Sequence, residues 1–257
     1  MKTIVLLHGF PLDAGMWEPQ RDALENAGFH VITPTMPFFG PPPLAVGRNA
    51  ADYPLLQAPA LEVSSMESWA RKVNEIIVHE AGGKAIVAGL SMGGYVLMAL
   101  LRAHPEAVRA AIFLDTKAAE DSPEPRVGRL KMIEDVKAHG TAGVIQTMLP
   151  KLLTPQADEG VRKTLRTIMA RQRPEAVCGA QWAMAHRRDQ TDLLPSLEIP
   201  TLFIAGAADA LTTPTMMAQM AEQARGKFVE IPRAGHQSNL EQPDAVNAAL
   251  TAFVTGI

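Results

Sequence analysis

The chain has 257 residues, 47% of them hydrophobic and 20% charged, which suits a globular protein with one α/β core and an insertion. A net charge of −3 gives no electrostatic reason to expect nucleic acid or an anionic membrane surface as a partner. The single Cys178 excludes an intrachain disulfide and a cysteine metal cluster, and reads as a small core residue.

The first apolar run, Ile4 to Leu7, is too short for a signal-peptide core, and no later run approaches a membrane span; a soluble, cytoplasmic protein is expected. That run predicts a strand stopped by His8-Gly9-Phe10-Pro11, and Asp13 is placed to cap a helix through Trp17, Leu24 and Ala27. Phe29 to Thr33 predict a second strand. The proline-rich stretch from Pro34 to Pro59 reads as an irregular surface excursion. Ser65, with Ser68 as a further candidate, starts a helix with Trp69, Val73, Ile76 and Ile77 on one face.

The next stretch organises the chain. Ala85 to Ala88 read as a buried strand, Tyr95 to Leu101 as a buried helix, and between them stands Gly89-Leu90-Ser91-Met92-Gly93. Gly-x-Ser-x-Gly between strand and helix is a nucleophile elbow, in which a sharp turn lifts the serine hydroxyl above the sheet edge. Ala110 to Asp115 predict another strand. From Thr116 to about Pro195 the strand signal vanishes and helical patterns take over, broken at Pro123, Pro125, Gly140, Pro150, Pro155 and Pro174. Strands return at Thr201 to Ala205 and Lys227 to Ile231, with helices from about Thr213 to Ala224 and Gln242 to Val254. Alternating strands and helices imply a parallel sheet. The helical block implies a cap over its carboxyl edge, giving a core of 1–115 and 196–257 with a helical cap at 116–195.

A serine hydroxyl needs a base to take its proton, and the base needs an acid to fix its tautomer. Of the seven histidines, His236 alone follows a late strand, so its loop opens on the same edge as Ser91. Asp209, just past the 201–205 strand, and Asp115, at the end of the strand after the elbow helix, are both placed to be the acid. The oxyanion donors expected are the N–H of Met92, after the nucleophile, and that of Phe10, since Pro11 has none and Gly9 sits inside the turn. His8 is then a loop brace. In the helical block, Trp182 and Met148 are candidates to line an acyl pocket, against a bland alternative of packing between helices.

The segments His8-Gly9-Phe10-Pro11, Gly89 to Gly94, Gly206 to Asp209 and Gly235-His236, with Asn239-Leu240-Glu241-Gln242-Pro243 after it, span nearly the whole chain. In that order they resemble the α/β-hydrolase superfamily, and within it the small capped esterases and lactonases that include 3-oxoadipate enol-lactonases, pimeloyl-carrier-protein methyl esterases and cofactor-free haloperoxidases. The family order of nucleophile, acid and base favours Asp209 over Asp115. The chain opens on what would be the family's third strand, and Pro34 to Pro59 replace the usual Asp-x-x-Gly-x-Gly-x-Ser turn. Ser91, where haloalkane dehalogenases and epoxide hydrolases carry aspartate, argues against those branches.

The resemblance implies a serine carboxylesterase acting through Ser91, Asp209 and His236, with no metal or other cofactor, on a small-molecule ester, as a monomer or homodimer. Largely uncharged acyl esters are expected, because no cationic cluster marks the motifs. The alternatives are a lactonase, a perhydrolase or haloperoxidase, and a slow or non-catalytic ligand receptor on the same fold.

Overall fold

The computed structural model describes residues 2–36 and 64–257. Most of the expected proline-rich excursion, from Pro37 to Pro59, therefore lies outside the described residues. Six strands form one sheet in the order β2-β1-β3-β4-β5-β6, every neighbouring pair parallel. They are β1 (Thr3–Leu7), β2 (His30–Ile32), β3 (Ala85–Leu90), β4 (Val108–Leu114), β5 (Thr201–Gly206) and β6 (Lys227–Ile231).

Side chains alternate across a strand, so a strand buried on both faces must be apolar throughout. In β1, Val5 and Leu7 enter one core while Ile4 and Leu6 enter the other; β3 divides in the same way, with Val87 opposite Ile86 and Ala88. The first core is closed by α2 (Met66–Glu80), α3 (Met92–Ala103) and α8 (Pro214–Gln223); the second by α1 (Glu18–Asn26) and α9 (Pro243–Thr255). The Phe113 and Phe203 rings stack at 4.9 Å on the first face, fixing β4 against β5. Ser65 and Ser68 cap α2 reciprocally, each backbone N–H donating to the other's side chain.

Four helices separate β4 from β5: α4 (Pro123–His139), α5 (Ala142–Leu152), α6 (Glu159–Ala170) and α7 (Pro174–Ala185). α4 packs on α7, and α5 on α6. The expectation that Pro123, Pro125 and Pro174 break helices is corrected. Pro123 and Pro125 lie in the first turn of α4, and Pro174 opens α7. A first-turn residue has no intrahelical acceptor for its N–H, so proline costs nothing there. Pro150 is likewise inside α5, near its end, whereas Gly140, at φ 75°, does terminate α4.

Candidate active site

All strands being parallel, their carboxyl ends share one edge, where the loops after β3, β4, β5 and β6 meet. They are sewn together through the backbone. Ser91 N–H donates to Leu114 O at 2.9 Å, Asp115 N–H to Ile204 O at 2.9 Å, and Ala208 N–H to Ala234 O at 2.8 Å. Ser91 itself sits at φ 53°, ψ −113°, a conformation disfavoured for any residue with a Cβ. The turn admits no other shape. A Cβ on Gly89 would lie 2.3 Å from Gly93 O, and one on Gly93 2.1 Å from Leu7 O. The Thr116 hydroxyl holds the turn from the other side, donating to Ser91 O at 2.8 Å.

From this turn a hydrogen-bonded chain runs inward. His236 Nε2 lies 2.9 Å from Ser91 Oγ, and His236 Nδ1 lies 2.8 Å from Asp209 Oδ2. The Asp209 carboxylate is itself fixed. Asp209 Oδ1 accepts the N–H groups of Leu211 and Thr212 at 2.8 and 3.1 Å, and Oδ2 accepts the Thr212 hydroxyl at 2.6 Å. Burial disfavours a charged His236, but the hydrogen bond and charge of Asp209, helped by the charge of Asp115, outweigh it and hold the imidazole above its ordinary 6.5. Burial likewise opposes ionisation of Asp209, and bonding to His236 and Thr212 overcomes it, leaving the carboxyl below its usual range.

Asp115, the other expected acid, is fully buried near His236 but bonded elsewhere. Its Oδ1 accepts the Gly206 N–H at 2.8 Å and its Oδ2 the Ser238 hydroxyl. Burial pushes its carboxyl up to about 7. His8 is buried with Nδ1 3.0 Å from Gly9 O, while its Nε2 accepts the Met36 N–H at 3.0 Å; burial drops it to about 4, so the ring is neutral and braces the loop after β1. Burial pushes the Cys178 thiol up to about 12, consistent with a core residue.

The loop bearing His236 is held by a residue whose role sequence reasoning missed. Glu241 Oε2 accepts the Gly235 N–H at 2.7 Å, while its Oε1 accepts the N–H of Thr154 at 2.9 Å together with that residue's hydroxyl. The Gln237 N–H donates to Leu152 O at 3.0 Å. Thr116 and Thr212 were missed as well; single hydroxyls in loops carry no sequence pattern.

A cavity of about 780 Å³ opens over Ser91 and His236. Phe10 and Ser91 form part of its floor, and Met92 is buried behind the turn. The N–H groups of Phe10 and Met92 have no hydrogen-bond acceptor among the described residues. Met148 lines the cavity, with Val144, Leu152 and Met184. Trp182 is not among the lining residues; its ring lies 4.0 Å from that of His186 and packs against the helical core. The motifs carry no cationic cluster, as read from the sequence, but Lys117 and Arg129, outside the motifs, line the same cavity beside Asp121. These residues lie far apart in sequence from the motifs, and only the fold brings them near. Among the described residues no group of histidine, cysteine and carboxylates could hold a metal, and no helix is long and apolar enough to cross a membrane.

Residues 4–249 match the model of the alpha/beta hydrolase family, and the chain belongs to that family. Over its whole length it is 27% identical to a pimeloyl-(acyl-carrier protein) methyl ester esterase from Neisseria meningitidis serogroup C, of which the match covers 95%. It is 28% identical to 3-oxoadipate enol-lactonase 1 from Acinetobacter baylyi, covering 99% of this chain and 89% of that one. Among solved structures, a thermophilic esterase from Thermogutta terrifontis, with malate bound, superposes with a TM-score of 0.88 at 34% identity, covering 100% of this chain and 90% of that one.

Proposed function

We propose that the protein is a serine carboxylesterase that works through an acyl-enzyme, with Ser91 as nucleophile, His236 as base and Asp209 as the acid that orients it. The observation that carries this reading is the unbroken chain Ser91 Oγ, His236 Nε2, His236 Nδ1, Asp209 Oδ2, with links of 2.9 and 2.8 Å, at the floor of the cavity. Relatives named as a methyl ester esterase, an enol-lactonase and an esterase point to the same bond class.

With Nδ1–H donated to Asp209, Nε2 is free to accept the Ser91 proton as Oγ attacks the ester carbonyl. The carbonyl oxygen becomes an oxyanion held by the N–H groups of Phe10 and Met92. Collapse breaks the bond to the leaving oxygen, which takes the proton from His236 and departs as the alcohol. A water then gives its proton to His236 while its oxygen attacks the acyl carbonyl, and the acid leaves Ser91, which regains a proton. Every step uses groups of the chain itself. Residues 116–195 act as a cap over the site, with Met148 setting the acyl length that fits.

The test is turnover of p-nitrophenyl butyrate together with covalent labelling by a fluorophosphonate. Many turnovers per protein molecule are expected, with the adduct on Ser91 by mass spectrometry and kcat lower by about 10⁴-fold or more in Ser91→Ala. A single turnover would favour a receptor instead, and an adduct on another serine would remove Ser91 from the role.

A further inference from the structure

Asp121, buried in the wall of the cavity, is bonded by three cations at once. Lys117 Nζ and Arg187 Nη2 each lie 3.0 Å from its Oδ1, and Arg129 Nε donates to its Oδ2. One carboxylate cannot balance three cations, so the cluster keeps an excess of two positive charges. Burial opposes ionisation of Asp121, and the two arginines overcome it, holding the carboxyl far below its usual range.

Two of the three cations face the cavity with donors to spare. Arg129 Nη1 donates to Gln181 Oε1 at 3.2 Å, while Nη2 has no acceptor among the described residues. Lys117 offers three ammonium protons and meets one carboxylate. Including Lys131, Lys151 and Asp135, the lining carries four cations against two carboxylates, in a chain whose net charge is −3. A concave surface positive against an acidic whole attracts an anionic group.

The cluster and Ser91 line the same cavity. Lys117 follows Thr116, whose hydroxyl bonds the Ser91 carbonyl. Arg187 stacks on the ring of Tyr95, 4.3 Å from its centroid, and Tyr95 lines the cavity one helical turn after Ser91.

We propose that Lys117 and Arg129 form a carboxylate subsite, so that the preferred substrates are esters whose acyl chain ends in a free carboxylate, the monoesters of short dicarboxylic acids. This rests on the esterase reading above and adds the substrate class. Arg129 supplies a planar pair of donors suited to a carboxylate, and Lys117 a second charge.

The experiment compares kcat/KM for monomethyl glutarate with that for methyl pentanoate, the same chain with a methyl in place of the carboxylate. A second arm compares acetoxyacetate, which carries its carboxylate on the alcohol side, with ethyl acetate. Monomethyl glutarate is expected to be preferred by about tenfold or more, the scale of a charge-assisted hydrogen bond, with no such preference for acetoxyacetate. Arg129→Gln and Lys117→Gln, made separately in case one fails to fold, should each lower the glutarate preference several-fold. Equal turnover of the paired acyl esters, a preference confined to acetoxyacetate, or a glutarate preference unchanged in both variants would overturn the subsite. If the wild-type protein hydrolyses none of these esters, the esterase reading fails by itself. Calorimetry with free glutarate then decides the subsite: binding weakened in Arg129→Gln supports it, and absence of binding overturns it.

Discussion

The hydroxyl of Ser238, two residues after His236, donates to the Oδ2 of Asp115 at the end of β4. The carboxyl that competes on paper for the role of acid is thereby occupied in joining three loops, since its other oxygen holds the Gly206 N–H. Asp209 alone of the two touches the imidazole. Asp209→Asn is therefore expected to lower kcat on p-nitrophenyl butyrate by about 10⁴-fold, because the amide favours the wrong tautomer and cannot stabilise the imidazolium. Asp115→Asn should cost at most about tenfold, keeping an acceptor for Gly206. The reverse ranking of the two variants would move the acid to β4.

Asp115 also gives a stability prediction with a definite sign. Its carboxyl is raised from an ordinary 3.8 to about 7, so between those values the native state holds a proton that the unfolded chain has released. Its contribution to stability therefore falls as pH rises through that window and is constant outside it. Urea melts of wild type and Asp115→Asn should converge below about pH 3.8, separate in favour of the variant as pH rises to about 7, and stay apart by a constant amount above it. A stability difference independent of pH would show that the carboxyl is not titrating there.

In the proposed mechanism His236 sets the acid limb of the pH–rate profile. It must be neutral to accept the Ser91 proton, and its pKa is held above 6.5 by Asp209 in spite of burial. Activity, measured as kcat/KM, should rise with pH through one ionisation centred above 6.5 and then level off. A midpoint below 6.5, or a flat profile from about pH 5 to 8, would count against His236 as the base.

Glu241 ties the loop of His236 to the segment after α5. Replacing it with Gln turns one of two accepting oxygens into a donor that faces an N–H. Glu241→Gln should cost about 2 kcal/mol in chemical denaturation and lower kcat more than it raises KM, since the base loses its seat while the cavity keeps its lining. Unchanged kcat with lowered stability would leave Glu241 a purely structural clasp.

The two helical-block positions separate on the structure. Met148 lines the cavity and Trp182 does not. Met148→Ala should alter the ratio of octanoate to acetate p-nitrophenyl ester turnover. Trp182→Ala should leave that ratio in place and act through stability, by about 1–2 kcal/mol, below the cost of truncating a fully buried tryptophan because the ring is only partly buried. An altered ratio in Trp182→Ala alone would reverse the assignment.

The sheet and the elbow were legible because their signals are local. A short apolar run such as Ala85 to Ala88 that ends in Gly89 reads as a strand buried on both faces, and a glycine pair around a serine marks a turn in which a Cβ on Gly89 would strike Gly93 O. The placement of His236 after a late strand was legible for a topological reason, as parallel strands must all end on one edge. The prolines misled because their effect depends on position within a helix: Pro123 and Pro174 start helices that a count of breakers would end. The cluster around Asp121 was invisible, since Lys117, Arg129 and Arg187 approach one another only when α4 and α7 pack together. Trp182 carried the same apolar signature as Met148, and helical spacing does not say which neighbour a face will meet.

Three of the four helices between β4 and β5 are moored at their ends to different parts of the sheet's carboxyl edge. The end of α6 reaches the loop after β1, where Arg171 Nε and Gln172 Nε2 donate to Asp13 at 2.7 and 2.8 Å. The end of α5 is bound to the histidine loop through Leu152 and Thr154, and past the end of α7 Arg187 rests on Tyr95 of the elbow helix. The helical block is thus a truss whose struts land on the loop after β1, the loop of His236 and the helix after Ser91. It cannot swing away as one flap without loosening all three, so access to the cavity and alignment of the groups beneath it are mechanically the same variable.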